Sequence, residues 1–289
     1  MSDSVEAPVW KSGTFSIGGD LSIHRLGYGA MRITGKGVWG PPADRDEAIS
    51  VLRRAIGLGI DFIDTADSYG PYVSEELIAE ALYPYPSDLV IATKGGFERS
   101  GPNAWEENGR PEHLRQAIEG SLRRLRLDRI DLYQLHRIDP DVPASDQFET
   151  LAALQEEGKI RHIGLSEVGV DEIDEAGQYF TVVSVQNRYN IKDRKWDSVL
   201  DYCEHEGIGF IPWFPLAEGD VRSQRVVERV AKRRDSTPSQ IALAWLLARS
   251  EVMIPIPGTS KVSHLEENAA AATLELDDDD LQELNDAGK

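Results

Sequence analysis

The stretch "DFIDTADSYG" (Asp61–Gly70) ends an apolar run on an Asp and places a Tyr five residues later, in a turn of small residues. A strand-to-helix turn can be made from Gly, Asn or Ser alone, so the acid and the phenol call for another explanation. The same layout recurs along the chain. Short β-rich runs, "RLGYGAM", "IDFID", "LVIATK", "IDLYQLH", "RHIGLS", "VVSVQ", "GFIPW" and "VMIPIPG", follow one another from about residue 26 to residue 272. Between them lie stretches with apolar residues at three and four spacing, such as "RDEAISVLRRAIGLG", "RPEHLRQAIEGSLRRLRL", "SDQFETLAALQEEG" and "TPSQIALAWLLARS". Pro111 and Pro238 mark first turns, and Ser145 is an N-cap candidate. Eight such alternations in 289 residues point to a (β/α)8 TIM barrel. "TFSIGGDLSIHR" reads as an N-terminal β-hairpin closing the barrel bottom, and "LDDDDLQELNDAGK" as an extra C-terminal helix. No linker or repeat divides the chain, so one domain over residues 1–289 is expected. A doubly wound sheet is disfavoured because no G-x-G-x-x-G turn follows an early strand.

The formal charge of -19, from 50 Asp and Glu against 31 Lys and Arg, argues against nucleic acid as a partner. It suits either a salt-adapted surface or an ordinary acidic cytosolic one. No run approaches the ~20 apolar residues of a membrane helix, and "MSDSVEAPVW" has no basic or apolar leader region, so a soluble cytoplasmic protein is expected. Cys203 is the single cysteine, which excludes an intrachain disulfide; it reads as a small apolar residue on a helix. The six histidines include no H-x-H or H-E-x-x-H cluster, and no metal is expected. Oligomeric state is not legible.

Active sites of such barrels form where the strands end. Strand two ends at Asp64 with Tyr69 in its loop, strand three at Lys94 and strand four at His136. Each alone has a bland reading, as a cap, a packed aromatic, a surface charge or a core histidine. Together they suggest proton transfer. A phenol ionises near pH 10, and a cation beside it lowers that value. Lys94 would supply the cation, Asp64 would keep it charged, and His136 would orient a substrate oxygen. A proton donor aimed at an oxygen suits carbonyl reduction, with hydride from a nicotinamide. Ser166 and Gln186, at the ends of strands five and six, can hydrogen-bond an amide; Trp213, ending strand seven, offers a stacking face. "GTSKVSHLEEN" turns into a helix N-terminus beside Lys261, a plausible phosphate site.

"GIDFIDTADSYG", "ATKGG", "SLRRLRLDRIDLYQLHR", "GKIRHIGLSEV", "VQNRYN", "WFPLA" and "IPIPGTSKVSHLEEN", in this order, resemble the aldo-keto reductase superfamily over nearly the whole chain. The resemblance implies reduction of small aldehydes or ketones with NADPH, or NADH as the second option. Its catalytic tetrad falls on Asp64, Tyr69, Lys94 and His136. Its cofactor contacts fall on Ser166, Gln186, Trp213, Phe214, Pro215 and Leu216, and on Gly258, Ser260, Lys261, His264, Glu267 and Asn268. Glu167 stands where many members carry Asn, Trp213 where Tyr is common, and His264 near a frequent Arg, so the preference for NADPH rests on Lys261 and Ser260. "RLGYGAM" and "GVWGPP" also resemble a bacterial-type branch that includes pyridoxal reductases. Trp39, Phe97, Trp105 and Phe214 would then rim an aromatic pocket for a planar carbonyl compound. Arg137 would meet an acidic group of the substrate or pair with Asp139 or Asp141. Two other readings remain at this point: a Schiff-base lyase with Lys94 as nucleophile, and a non-catalytic cofactor-sensing subunit.

Overall fold

The computed structural model describes residues 7–216 and 221–288, with the backbone alone for 221–223. The first six residues of the expected leaderless terminus lie outside the described residues. The chain opens with a hairpin of β1 (Thr14–Ile17) and β2 (Leu21–His24). Then follow β3 (Tyr28–Gly29), α1 (Arg45–Gly57), β4 (Phe62–Asp64), α2 (Val73–Leu82) and β5 (Val90–Gly95). A second hairpin, β6 (Phe97–Gly101) and β7 (Ala104–Glu107), precedes α3 (Pro111–Leu125). The alternation continues through β8 (Ile130–Leu135), α4 (Ala144–Glu156), β9 (Ile160–Ser166), α5 (Val170–Ala176), β10 (Val182–Gln186), α6 (Asp197–Glu206) and β11 (Gly209–Phe210). The chain ends in α7 (Val221–Arg233), α8 (Pro238–Arg249), α9 (Val262–Ala270) and α10 (Asp278–Ala287).

Seven strands form one parallel sheet in the order β11-β10-β9-β8-β5-β4-β3, and its curl with the outer helices makes the (β/α)8 barrel. The eighth expected strand, "VMIPIPG", closes the ring without becoming one. Pro255 and Pro257 have no N–H to give a ladder. The segment is instead held on one side by Phe210 N to Val252 O and Ile254 N to Phe210 O, both 2.8 Å, and on the other by Gly27 N to Pro255 O at 3.0 Å. Backbone meets backbone at this seam. A Cβ on Gly29 would lie 2.6 Å from Ile256 O, and one on Gly258 would lie 2.7 Å from Gly29 O, so only glycine fits either position.

Side chains two residues apart on a strand share a face, and that rule builds the barrel interior in layers. Phe62, Val90, Ala92 and Leu132 pack inside with Val183, Ile211, Ile254 and Ile256. Ile17, Leu21 and Ile23 of the first hairpin plug the bottom of the same cluster, as expected. Two residues further along the same faces come Asp64, Lys94 and Gln134. The polar floor of the site is therefore the next layer of the apolar core. Outward residues such as Tyr133 and Leu135 pack under the helices.

The helices expected from the sequence are present. Pro111 and Pro238 begin α3 and α8, and Thr237 forms a capping box with Gln240. Ser145 is not an N-cap: α4 starts one residue earlier, after Pro143, and the Ser145 hydroxyl turns to Asp146. Among the described residues no helix is long and apolar enough to cross a membrane. Cys203 is buried on α6, where burial pushes its thiol up to about 12.

Candidate active site

A cavity of about 700 Å³ opens at the ends of the strands, lined by Asp64, Tyr69, His136, Ser166, Gln186 and Trp213 together with Phe97, Trp105 and Arg137. Lys94 lies beneath it, fully buried. Its Nζ donates to Asp64 Oδ1 at 2.5 Å and to Thr65 O at 2.8 Å, and sits 5.2 Å from the centre of the Tyr69 ring. Buried charges persist only when paired and hydrogen-bonded, and this pair is more than paired. Asp64 Oδ2 also accepts from Gln134 Nε2 at 3.0 Å and from Gln186 Nε2 at 2.9 Å. Burial works to lower the Lys94 pKa, but attraction to Asp64 and Tyr69 outweighs it and the net shift is upward. Lys94 is held as a cation.

Burial also dominates at Tyr69 and raises its pKa, with Lys94 opposing. The expected lowering by the lysine is thus one contribution, and the net direction is the reverse. His136 is pushed well below the usual histidine value, first by burial and then by Lys94, Arg137 and Arg99. It is neutral at neutral pH. Its Nδ1 lies 3.4 Å from Ser68 Oγ, and its ring meets Tyr69 edge-on at 5.9 Å.

The second hairpin places Phe97 and Trp105 over the mouth; Phe97 stands 4.7 Å from the His136 ring and 5.4 Å from Trp105. Arg99 fixes this hairpin. Its guanidinium covers the Trp105 ring at 3.6 Å and donates to Ser68 O, Gly37 O, Gly101 O and Ala104 O. Trp39 is not part of the cavity lining: it bridges to Gly70 and faces Arg99 at 5.8 Å, one layer back. Arg137 makes neither of the expected salt bridges. Asp139 is taken by the backbone N–H groups of Gly109 and Asp141, and Arg137 Nη1 donates to His136 O and to Ser166 Oγ at 3.0 Å.

On the opposite wall, the Ser166 hydroxyl donates to Gln186 O. Trp213 lies beyond the short β11 because Pro212 interrupts the ladder, and bridges to Arg188 instead. Phe214, Pro215 and Leu216 follow it along the cavity. Glu167 does not face an amide site: its Oε1 accepts the indole Nε1–H of Trp213 at 2.7 Å. The donor set suits a nicotinamide, with a hydroxyl, a carboxamide and an indole face along one wall. Gly258 lines the cavity, and beyond it Ser260, Lys261 and His264 are exposed. Lys261 pairs with no carboxylate among the described residues, which suits a phosphate. Three positions around it are already engaged or enclosed. The first amide of α9, Val262 N, already donates to Glu47 Oε1 at 3.0 Å; Glu267 accepts from Thr237 Oγ1; and Asn268 is buried. Gln134 and Arg99 were not singled out in the sequence, although Gln134 lies two residues before His136 on the same strand face.

Known proteins share this sequence and fold. The model of the Aldo/keto reductase family matches residues 25–289. An uncharacterized oxidoreductase of Schizosaccharomyces pombe is 55% identical over 280 residues, covering 96% of this chain and 91% of that protein. Pyridoxine 4-dehydrogenase of Escherichia coli is 44% identical over 280 residues, covering 95% and 98%. Among solved structures, an aldo-keto reductase from Klebsiella pneumoniae in complex with NADPH superposes with a TM-score of 0.79 at 25% identity, over 94% of each chain.

Proposed function

Because the chain belongs to the aldo/keto reductase family, we propose that it reduces an aldehyde or ketone to an alcohol at this cavity, with Tyr69 as the proton donor. NADPH, when bound, supplies the hydride to the carbonyl carbon. Ser166, Gln186 and Trp213 would hold its nicotinamide, Phe214, Pro215 and Leu216 would flank it, and Ser260 and Lys261 would meet its phosphates. Tyr69 gives its proton to the substrate oxygen in reduction and takes it back in oxidation. With Nδ1 facing Ser68, His136 has Nε2–H left to hold that oxygen in place. Lys94 favours the phenolate formed as Tyr69 releases its proton, and Asp64 keeps Lys94 charged.

One observation supports this reading above others: the Lys94–Asp64 pair buried directly beneath the phenol. A Schiff-base lyase needs a neutral, accessible lysine, and Lys94 is neither. A purely cofactor-sensing role would leave the aromatic mouth over Tyr69 without a purpose. The rings of Phe97, Trp105 and Phe214 favour a planar carbonyl compound, and Arg137, which pairs with no carboxylate among the described residues, favours one with an acidic group. Pyridoxal and pyridoxine are the first pair to try, given the name of the Escherichia coli relative.

The test is NADPH consumption with a panel of aromatic aldehydes that includes a carboxylate-bearing one and its methyl ester. Tyr69→Phe is expected to lower kcat by about 10²- to 10⁴-fold while NADPH still quenches tryptophan fluorescence. Wild-type turnover by a folded Tyr69→Phe variant would rule out the proton-donor role. Equal kcat/KM for acid and ester would remove Arg137 from substrate recognition.

A further inference from the structure

Two departures from the family pattern, Glu167 and Trp213, touch each other. Glu167 follows Ser166 at the end of β9 and has φ +57°, a left-handed conformation that few non-glycine residues adopt. Its surroundings hold it there. Glu167 N donates to Gln186 O at 3.1 Å, and its Oε1 accepts from Arg188 N at 2.5 Å and from Trp213 Nε1 at 2.7 Å. Lys195 Nζ lies 3.7 Å from Oε2. The neighbouring Asn187 clamps Val168 through both its N–H and its carbonyl oxygen, and Trp213 N donates to Asn187 O. The carboxylate thus sits where three strand ends meet, its side chain only 16% exposed.

An indole has a single donor, in the plane of its ring. An acceptor fixed to the barrel therefore sets the tilt of that plane, which a phenylalanine ring at the same place would leave free. Arg188 lies 5.7 Å from the same ring and Phe214 packs edge-on to it at 6.4 Å, but neither holds its in-plane rotation. We propose that Glu167 is a positioning residue: it locks the indole of Trp213 in the orientation that receives the nicotinamide, so that the two residues contribute to NADPH affinity as one unit. This rests on the reading of Trp213 as the cofactor's stacking face.

The test is a double-mutant cycle read by calorimetric titration with NADPH, together with the indole N–H proton resonances of the cofactor-free protein. Trp213→Phe identifies the Trp213 resonance. Glu167→Ala should shift that resonance to lower frequency and weaken NADPH binding by roughly tenfold, the scale of one hydrogen bond to a charged group. Glu167→Gln keeps an acceptor oxygen and should stay within about threefold of wild type. In the Trp213→Phe background, Glu167→Ala should weaken binding no further. The rise in KM for NADPH should exceed the fall in kcat. Additive losses in the cycle, or a Glu167→Gln variant as impaired as Glu167→Ala, would overturn the proposal. Should Glu167→Ala not fold, the Glu167→Gln and Trp213→Phe arms still decide it: a Trp213 resonance unmoved from a non-bonded indole position in wild type sinks the idea. Failure of the wild-type protein to bind NADPH would instead refute the cofactor reading, leaving the resonance test of the hydrogen bond intact.

Discussion

At the scale of single residues, burial sets the direction of most of the chemistry. Tyr69 must be protonated to donate, so reduction should fall as pH rises through its raised pKa. Lys94 is the cation that opposes this rise. Removing it in Lys94→Met is expected to move the alkaline limb of kcat/KM for reduction to higher pH, along with a lower plateau. An unmoved limb would show that Lys94 does not tune the phenol. Asp67, in the loop that carries Tyr69, is another buried acid. Its Oδ1 and the Tyr133 hydroxyl are both buried without a hydrogen-bond partner among the described residues, and burial followed by repulsion from Glu75 raises its pKa well above the usual value. The sign follows from linkage: a raised folded-state pKa means that stability is fully present below the unfolded value near 4 and is lost as pH rises through the folded value. Asp67→Asn does not titrate. Its stability relative to wild type should therefore increase from about pH 4 upward and then level off, measured by denaturant melts at a series of pH values. A flat difference would mean that the carboxyl ionises freely.

At the scale of elements, period-two alternation explains why so much of the site could be read without coordinates. Asp64 and Lys94 end runs whose preceding same-face residues, Phe62 and Ala92, are apolar, His136 ends one in which Gln134 follows Leu132 on that face, and the barrel rule brings those ends together. Elements that break a simple period were harder to read. "VMIPIPG" has strand composition, but its two prolines cannot join a ladder, and neither they nor Pro212 leave room for the full-length strands expected at the seam. The hairpin β6–β7 escaped notice because "FERSG" and "AWEE" are half exposed and lack an apolar face. Arg99 escaped with it, since its role depends on carbonyls of its own hairpin turn, Gly101 and Ala104, and of two distant loops, Gly37 and Ser68. At α9 the local sequence does not reveal that a distant side chain, Glu47, already takes the first amide of the helix. The seam itself makes a prediction. Gly29→Ala would press a methyl against the Ile256 carbonyl, where neither backbone can yield, and should cost about 1–3 kcal/mol of stability or more in a denaturant melt. A neutral effect would mean that the closing segment moves aside easily.

At the scale of the whole molecule, charge is the dominant feature. The excess of acid over base, 50 to 31, repels itself across the surface, while local pairs hold the periphery in place. Asp280 of α10 is buried and takes both Arg233, the last residue of α7, and Arg234 just after it, and Glu283 takes Arg229 and Arg233. Added salt weakens exposed pairs and screens the general repulsion, and these effects have opposite signs. With so large an imbalance, screening should win. The melting temperature is expected to rise by several degrees, roughly 1–2 kcal/mol, between about 10 mM and 1 M potassium chloride. A fall would show that the α7–α10 pairs matter more than net repulsion.

The carboxylate of Asp64 is approached by Lys94 from one neighbouring strand, by Gln134 from the strand beyond, and by Gln186 from across the ring. A shared acceptor of this kind constrains inheritance as well as chemistry. Losing any one donor leaves a buried anion short of a partner, and losing the anion strands three donors at once. These four positions can therefore drift only as a set, whereas the aromatic hairpin above them can be redrawn piecemeal. Variation in what the cavity accepts should accumulate in the rim while the floor stays as it is.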